Sequence, residues 1–136
     1  MPTLDDVRAL ALAMPDTVEK VEGHGGGASW RVHDRMFVWE RGPSATDERQ
    51  LAELGRTWPG GTVVGARTES VEMRDALIGS SPQHFFTIPH FDGYPAVLVR
   101  LSAIPQGVLA EVITDAWLAR APVRAAKAWL ADHPPR

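Results

Sequence analysis

Apolar residues recur along this chain with two different spacings, which separate predicted helices from predicted strands. In residues 4–14 and 109–117 the apolar positions follow at intervals of three and four, as on one face of a helix. Thr3 with Asp6 forms a capping-box pattern at the first segment, and Pro105 suits the first turn of the second. Shorter helices are predicted from their end signals at 47–54, 71–78 and 122–131.

A strand pair is predicted in residues 85–101, whose sequence is FFTIPHFDGYPAVLVRL. Two short apolar runs flank a link that is bounded by Pro89 and Pro95. Asp92-Gly93 in this link is a strong turn signal, because glycine takes positive φ without a steric clash. We therefore expect two antiparallel strands, an ordered link and a positive φ at Gly93.

Residues 28–41 predict a second hairpin, in which large apolar side chains alternate with polar ones. A two-residue turn at Asp34-Arg35 sets the expected register of this hairpin. We expect its apolar side chains to share one buried face: Trp30, Val32, Phe37 and Trp39. Aromatic pairs across neighbouring strands of this kind stabilise antiparallel sheets.

Two further strands are predicted at 17–22 and 62–67. The complete order is a helix, three strands, a short helix, a strand, a helix, two strands and two helices. Strands joined by hairpins imply an antiparallel sheet, and helices with one apolar stripe must pack on it. The sequence therefore predicts a single α+β domain over residues 1–136, a two-layer sandwich of an antiparallel sheet packed against helices.

Composition and charge narrow the possible functions. The chain has 136 residues and no cysteine, so it cannot form disulfides. Its formal net charge of −3 argues against strong non-specific binding of nucleic acid. Residues 1–22 carry five carboxylates against two cations, whereas residues 116–136 carry four cations against one carboxylate. There is neither a basic and apolar leader nor an apolar run of about 18 residues, so a cytoplasmic protein without a membrane partner is expected.

Catalytic and metal-binding patterns are weak. His24 lies in a Gly-His-Gly-Gly-Gly run that resembles the oxyanion loop of esterases. The partner motif Gly-x-Ser-x-Gly is absent, so a flexible loop between strands is the better interpretation. The five histidines lack the spacing of metal ligands. We therefore expect no enzyme activity, no cofactor and no metal site.

His90, Asp92 and Tyr94 form a loop cluster of unknown role between the two strands of the 85–101 hairpin. Such a trio has the groups for acid–base chemistry, although no nucleophile can be assigned to it. The alternative is structural, with His90 and Tyr94 hydrogen-bonding the backbone of the loop.

Three stretches together resemble the MmcQ/YjbR family. They are the hairpin at 85–101, ITDAWLARAP at 113–122 and SWRVHDRMFVWER at 29–41, and they occur in the expected order across nearly the whole chain. Members of this family are usually described as DNA-binding proteins, with a two-layer α/β fold related to that of secretion chaperones. The resemblance implies the same architecture and a sheet-based or wing-like surface for DNA.

The cations expected to contact double-stranded DNA lie mainly towards the end of the chain. Arg120, Arg124 and Lys127 follow at intervals of four and three, which aligns them on a continuous helix unless the proline between them bends it. Arg31 and Arg35 on the 28–41 hairpin would extend this basic patch. Contacts of this kind hold phosphates without reading sequence, so binding is expected to be weak, with the acidic first helix turned away.

The alternative is a non-catalytic module that binds a protein, a peptide or a second copy of the chain. A fold related to secretion chaperones would suit this role, which needs an exposed apolar patch or a free sheet edge. The five tryptophans fit either a core or an interface. A contiguous positive face would favour DNA, and an exposed apolar sheet face would favour a protein partner.

Overall fold

The computed structural model describes residues 1–21 and 27–134, and these ranges contain the predicted elements in the predicted order. The strands are β1 (Thr17–Lys20), β2 (Ser29–Val32), β3 (Arg35–Glu40), β4 (Val63–Arg67), β5 (Phe85–Phe86) and β6 (Ala96–Arg100). The helices are α1 (Leu4–Leu12), α2 (Ala45–Glu53), α3 (Val71–Ser80), α4 (Gln106–Arg120) and α5 (Val123–Asp132). The glycine-rich run around His24 lies outside the described residues.

The strands form one antiparallel sheet in the order β1-β2-β3-β4-β6-β5. β1 pairs with β2 and β2 pairs with β3, and the link after β5 returns the chain so that β6 lies between β4 and β5. The predicted α+β class and antiparallel sheet are therefore confirmed. Within the described residues, β1 and β5 are the edges of the sheet.

One face of the sheet, here called the helix face, is covered by α1 and α4 and encloses the larger hydrophobic core. The stripe predicted on α4 is buried in full: Leu109, Val112, Ile113, Ala116 and Trp117. The Trp117 indole also donates to the Pro15 carbonyl at 3.0 Å, which ties the end of α1 to α4. Each large side chain buried here contributes about 1.5–3 kcal/mol to folding.

The opposite face, here called the loop face, is covered by α2 and by the link between β5 and β6. Its buried cluster includes Trp39, Leu51 and Phe91. The Trp39 indole lies over Gly65 so closely that a Cβ there would stand 2.4 Å from the ring, which explains a glycine in mid-strand. The link packs on the sheet and Gly93 has a φ of +74°, so both expectations for this segment are confirmed.

The turn between β2 and β3 differs from the prediction. It is formed by His33-Asp34, whose φ angles are +48° and +64°, rather than by Asp34-Arg35. Positive φ at both turn positions gives a twist that matches the strands of a two-residue hairpin, and aspartate tolerates this conformation better than most residues.

A β-bulge in this hairpin changes which side chains face the helices. Trp30 pairs with Val38 and Arg31 pairs with Met36, so Phe37 is the extra residue. Phe37 and Val38 both join the helix-face core, while Trp39 turns to the loop face. The predicted burial of Trp30, Phe37 and Trp39 is confirmed, but the prediction that Trp39 shares their face is wrong.

The ends of the helices differ from the predictions in small ways. Thr3 caps α1 as predicted, whereas α2 is capped by Ser44, with Asp47 at the third helical position of the capping box. α3 continues through Gly79, because this glycine does not take the positive φ that ends a helix. Leu130, which was expected to face inward, is 45% exposed.

Candidate anion-binding site

Arginines from three different elements meet at one end of the sheet. Arg35 begins β3, Arg67 ends β4 and Arg120 ends α4. The Arg35 Nη1 donates to the Arg120 carbonyl at 3.3 Å, and the charges of Arg67 and Arg35 both act on the Arg120 guanidinium. Together with Tyr94, these residues are called the arginine cluster below.

The packing of α4 brings this cluster together. α4 lies across β3 and β4, and these two strands are antiparallel, so the start of β3 and the end of β4 lie at the same end of the sheet. The last turn of α4 ends over this place, as the contact between Arg35 and the Arg120 carbonyl shows. Arg67 pairs with Ala96, which places the link that contains Tyr94 beside it.

Tyr94 orders the guanidinium of Arg67. The Arg67 Cζ lies 4.8 Å from the centroid of the Tyr94 ring, within the range of a cation–π interaction. Its Nε donates to the Pro95 carbonyl at 3.1 Å, and its Nη1 reaches the Tyr94 hydroxyl at 3.4 Å. These contacts hold the guanidinium at the end of β4 without neutralising its charge.

The positive charges of the other two arginines in the cluster act on the guanidinium of Arg120. Its pKa is lowered, first by burial and then by the positive charges of Arg67 and Arg35, while Tyr94 acts in the opposite direction. Its Nε is buried and has no hydrogen-bond partner among the residues that the structure describes. Within residues 1–21 and 27–134, none of the cluster's arginines forms a salt bridge. A phosphate or carboxylate would relieve both the repulsion and the unmet donor.

Two carboxylates near this end of the sheet, Asp34 and Asp16, lie beside other basic side chains. Asp34 accepts from Lys20 at 3.1 Å, and this hydrogen bond is the largest cause of the lowered pKa of Asp34. Asp16 lies 3.8 Å from the Nε2 of His33. Neither of these two carboxylates forms a salt bridge with an arginine of the cluster.

The acidic start of α1 lies at the far end of the molecule from the cluster. The Asp6 carboxyl contacts Gln106 at the start of α4, whereas Pro15 contacts Trp117 near its end, so α1 and α4 run in the same direction. A helix of the length of α4 spans about 21 Å. Asp5 and Asp6 are therefore well separated from Arg120, and the acidic first helix begins away from this arginine as expected.

The structure does not bring the other predicted cations into the cluster. Arg31 is on the loop face, where its Nε donates to the Ser29 hydroxyl at 3.3 Å, whereas Arg35 lies at the helix-face side. Arg124 and Lys127 are exposed on α5, which Pro122 separates from α4. They therefore do not continue the line of Arg120 along one helix.

Of the predicted loop cluster, only Tyr94 joins the arginines. His90 and Asp92 are exposed at the outer surface of the link. The carbonyls of the link are held instead by Arg74, whose buried guanidinium donates to Phe91 at 2.8 Å and to Tyr94 at 3.2 Å. The backbone of this loop is therefore held by arginines from β4 and α3 rather than by its own histidine and tyrosine.

Sequence reasoning missed Arg67 and the structural role of Arg74. Neither residue lies in a basic run, and Arg67 is simply the last residue of a short apolar strand. Its meeting with Arg120 depends on strand pairing and helix packing, for which the local sequence carries no signal.

The described residues offer no evidence for two other kinds of site. They contain no group of three or more histidine, aspartate or glutamate side chains placed to hold a metal ion. None of the helices within these ranges has the length and apolar character needed to cross a bilayer.

These features define an α+β protein with an antiparallel sheet and three arginines at one end of that sheet. The chain matches the YjbR family model over residues 12–119 and belongs to the YjbR family. It is 41% identical over 132 residues to uncharacterized proteins of Mycobacterium bovis and Mycobacterium tuberculosis, covering 97% of this chain and 98% of theirs. The crystal structure of the Deinococcus radiodurans protein DR2400, a DUF419 domain, has the same fold with a TM-score of 0.63 and 18% identity, covering 87% of this chain and 78% of that one.

Proposed function

We propose that this protein binds double-stranded DNA weakly, through phosphate contacts centred on the arginine cluster. The observation that carries the proposal is the convergence of Arg35, Arg67 and Arg120 without a carboxylate partner among the described residues. The planar guanidinium group matches phosphate oxygens and carries its charge at every physiological pH. The proposal assigns the protein no catalytic step.

The proposed contacts position DNA without reading its sequence. Phosphate contacts carry no base information, so affinity should be similar for duplexes of different sequence. The net charge of −3 keeps the contacts few and the affinity low. If only the cluster contacts DNA, a plot of the logarithm of the binding constant against the logarithm of the salt concentration should have a slope of about −3. Additional contacts by Arg124 and Lys127 on α5 should steepen this slope to about −4.5.

A fluorescence-anisotropy titration of a labelled duplex at several salt concentrations tests the proposal. Arg35→Glu is the main variant, because Arg35 is exposed and its loss disturbs no buried contact. Arg49→Glu on α2 is the matched control, since it makes the same charge change at an exposed arginine outside the cluster. Arg124→Glu tests whether α5 contributes to DNA binding.

We expect Arg35→Glu to weaken binding about tenfold at low salt, equally for different sequences, and Arg49→Glu to change it less than about twofold. Equal effects of the two variants would show that binding follows net charge and not the cluster. Absence of binding at tens of micromolar protein in low salt would refute DNA binding altogether.

A second candidate function is the binding of a protein or of a second copy of the chain. It is favoured by strand β1, which is an edge of the sheet among the residues that the structure describes. Val18 on this strand is 52% exposed and Val21 just beyond it is 65% exposed. An edge strand with apolar side chains can pair with a strand of a partner. Light scattering across a range of protein concentrations tests self-association, and Val18→Lys should abolish any dimer that uses this edge.

A further inference from the structure

A cavity of about 590 Å³ lies between α3, α4 and the segment that joins β4 to α3. Apolar side chains from both helices line much of its wall: Met73, Leu77, Val108, Val112 and Leu118. Met73 is 47% exposed although it is large and apolar. A volume of this size is typical of sites that enclose a small organic molecule.

The rim of this cavity is acidic. Glu69, Glu111 and Asp115 line it, and none of them forms a salt bridge with any residue in the described ranges. The pKa of Asp115 is raised, first by partial desolvation of its carboxyl group and then by the charges of Glu111 and Glu69. The charges of Glu111 and Glu69 therefore disfavour the ionised form of Asp115, and a cation bound beside Asp115 would offset their effect.

The cation that borders the cavity does not neutralise this rim. Arg67 is a lining residue, but its guanidinium is stacked on Tyr94 and donates to the Pro95 carbonyl. The carboxylates thus outnumber the guanidinium, and the lining favours a ligand of positive charge. This selectivity is opposite to that of the arginine cluster, although α4 contributes to both sites.

We propose that this cavity binds a small organic cation, an amine with an apolar body. The apolar body would cover the exposed wall of Met73, Leu77 and Leu118, and the ammonium group would pair with Glu111 and Asp115. Burial of the body supplies affinity, whereas the acidic rim selects charge. The amine would contact neither Arg35 nor Arg120, although Arg67 borders both the cavity and the arginine cluster.

The test uses three probes that share one body and differ in charge: 4-phenylbutylamine, 4-phenylbutanol and 4-phenylbutyrate. Binding to the full chain is followed by amide chemical shifts in two-dimensional NMR. A ligand of this size reaches a Kd of about 1 mM or tighter in a site that fits it. We expect the amine to bind in this range with shifts confined to α3, α4 and the β4–α3 segment, and the carboxylate to bind at least about tenfold more weakly.

Variants at exposed positions of the rim separate charge from shape. Glu111→Gln with Asp115→Asn should weaken the amine about tenfold and leave the alcohol unchanged. Ala119→Trp, which places a ring in the cavity, should weaken all three probes, while Glu72→Gln on α3, outside the lining, should change none. The proposal is overturned if the carboxylate binds as well as the amine, if the amine shifts lie elsewhere, or if 10 mM amine produces none.

Discussion

The helix face and the loop face of the sheet are both buried, but they differ in what buries them. The helix face is covered by two helices, and its enclosed side chains are apolar, with Trp30 and Trp117 fully buried. The loop face is covered by α2 and the link between β5 and β6. It contains a buried ion pair, in which Arg41 Nη2 lies 2.8 Å from Asp47 Oδ2.

This difference follows from how the backbone N–H and C=O groups of each covering segment are hydrogen-bonded. A helix satisfies most of them internally, so it can present a purely apolar stripe to the sheet. An irregular link cannot satisfy all of its backbone groups internally, so its remaining buried carbonyls need hydrogen-bond donors from other parts of the chain. Arg74 supplies donors to the Phe91 and Tyr94 carbonyls. We infer that the helix face depends mainly on buried area, whereas the loop face depends on a few specific pairs.

The largest expected effects come from removing one tryptophan from each face. Trp30 is 0% exposed on the helix face and Trp39 is 3% exposed on the loop face. Trp30→Ala and Trp39→Ala should each lower the free energy of unfolding by about 3–5 kcal/mol, measured by urea denaturation. Trp58→Ala, at the half-buried border of the loop face, serves as the milder reference. A loss below about 1 kcal/mol for Trp39→Ala would show that the loop cover does not form a core.

Breaking the buried ion pair should damage the loop face selectively. Arg41→Met leaves the Asp47 carboxylate buried without its partner and should cost about 3 kcal/mol. Adding Asp47→Leu removes the uncompensated charge, so the double variant should recover most of this loss. It should retain a deficit of about 1 kcal/mol because the capping contacts of Asp47 with Ser44 are gone. A double variant as unstable as Arg41→Met would contradict this account.

The same pair predicts how stability depends on pH. Burial alone would raise the pKa of Asp47, but the hydrogen bond from the Ser44 backbone and the partner Arg41 outweigh it, and the pKa is lowered. A carboxyl group with a lowered folded pKa stabilises the fold above its unfolded pKa of about 3.9 and loses that contribution as the pH falls. Urea denaturation at pH 7 and at pH 3 should therefore differ less in Asp47→Asn than in the unmodified protein.

A methyl group at Gly65 tests the close packing of the loop face. Its Cβ would stand 2.4 Å from the Trp39 ring, so the indole must shift. Gly65→Ala should cost about 2 kcal/mol in thermal or urea unfolding. Gly42→Ala is the matched control, because nothing lies within 4 Å of a Cβ there. Stability within about 0.5 kcal/mol of the unmodified protein would show that the indole moves freely.

The smallest expected effect concerns the conformation of the link. Gly93 has a φ of +74°, and alanine there is strained by about 1 kcal/mol. Gly79→Ala, in the interior of α3 with open space around its Cβ, should instead stabilise by about 0.5–1 kcal/mol. Opposite signs of the two changes in Tm would support the assigned backbone, whereas equal signs would contradict it.

The sequence by itself determined the elements that depend on short-range interactions. The Thr3 capping box, the buried stripe of α4 and the positive φ at Gly93 were all predicted. Each depends on energies between residues a few positions apart, which the local pattern expresses directly. The fold class followed from the order of these elements, and the family resemblance agreed with it.

The tertiary structure alone decided the register of the β2–β3 hairpin and the composition of the arginine cluster. The bulge at Phe37 and the turning of Trp39 to the loop face carry no local signal, because either face could bury an aromatic ring. Arg67 is near enough to Arg120 for its charge to lower the pKa of Arg120 only because β4 and α4 pack together. Arg124 and Lys127 are close to Arg120 in sequence but lie beyond the break at Pro122. Proximity of charges is set by long-range packing, which sums many weak contacts that no short stretch of sequence contains.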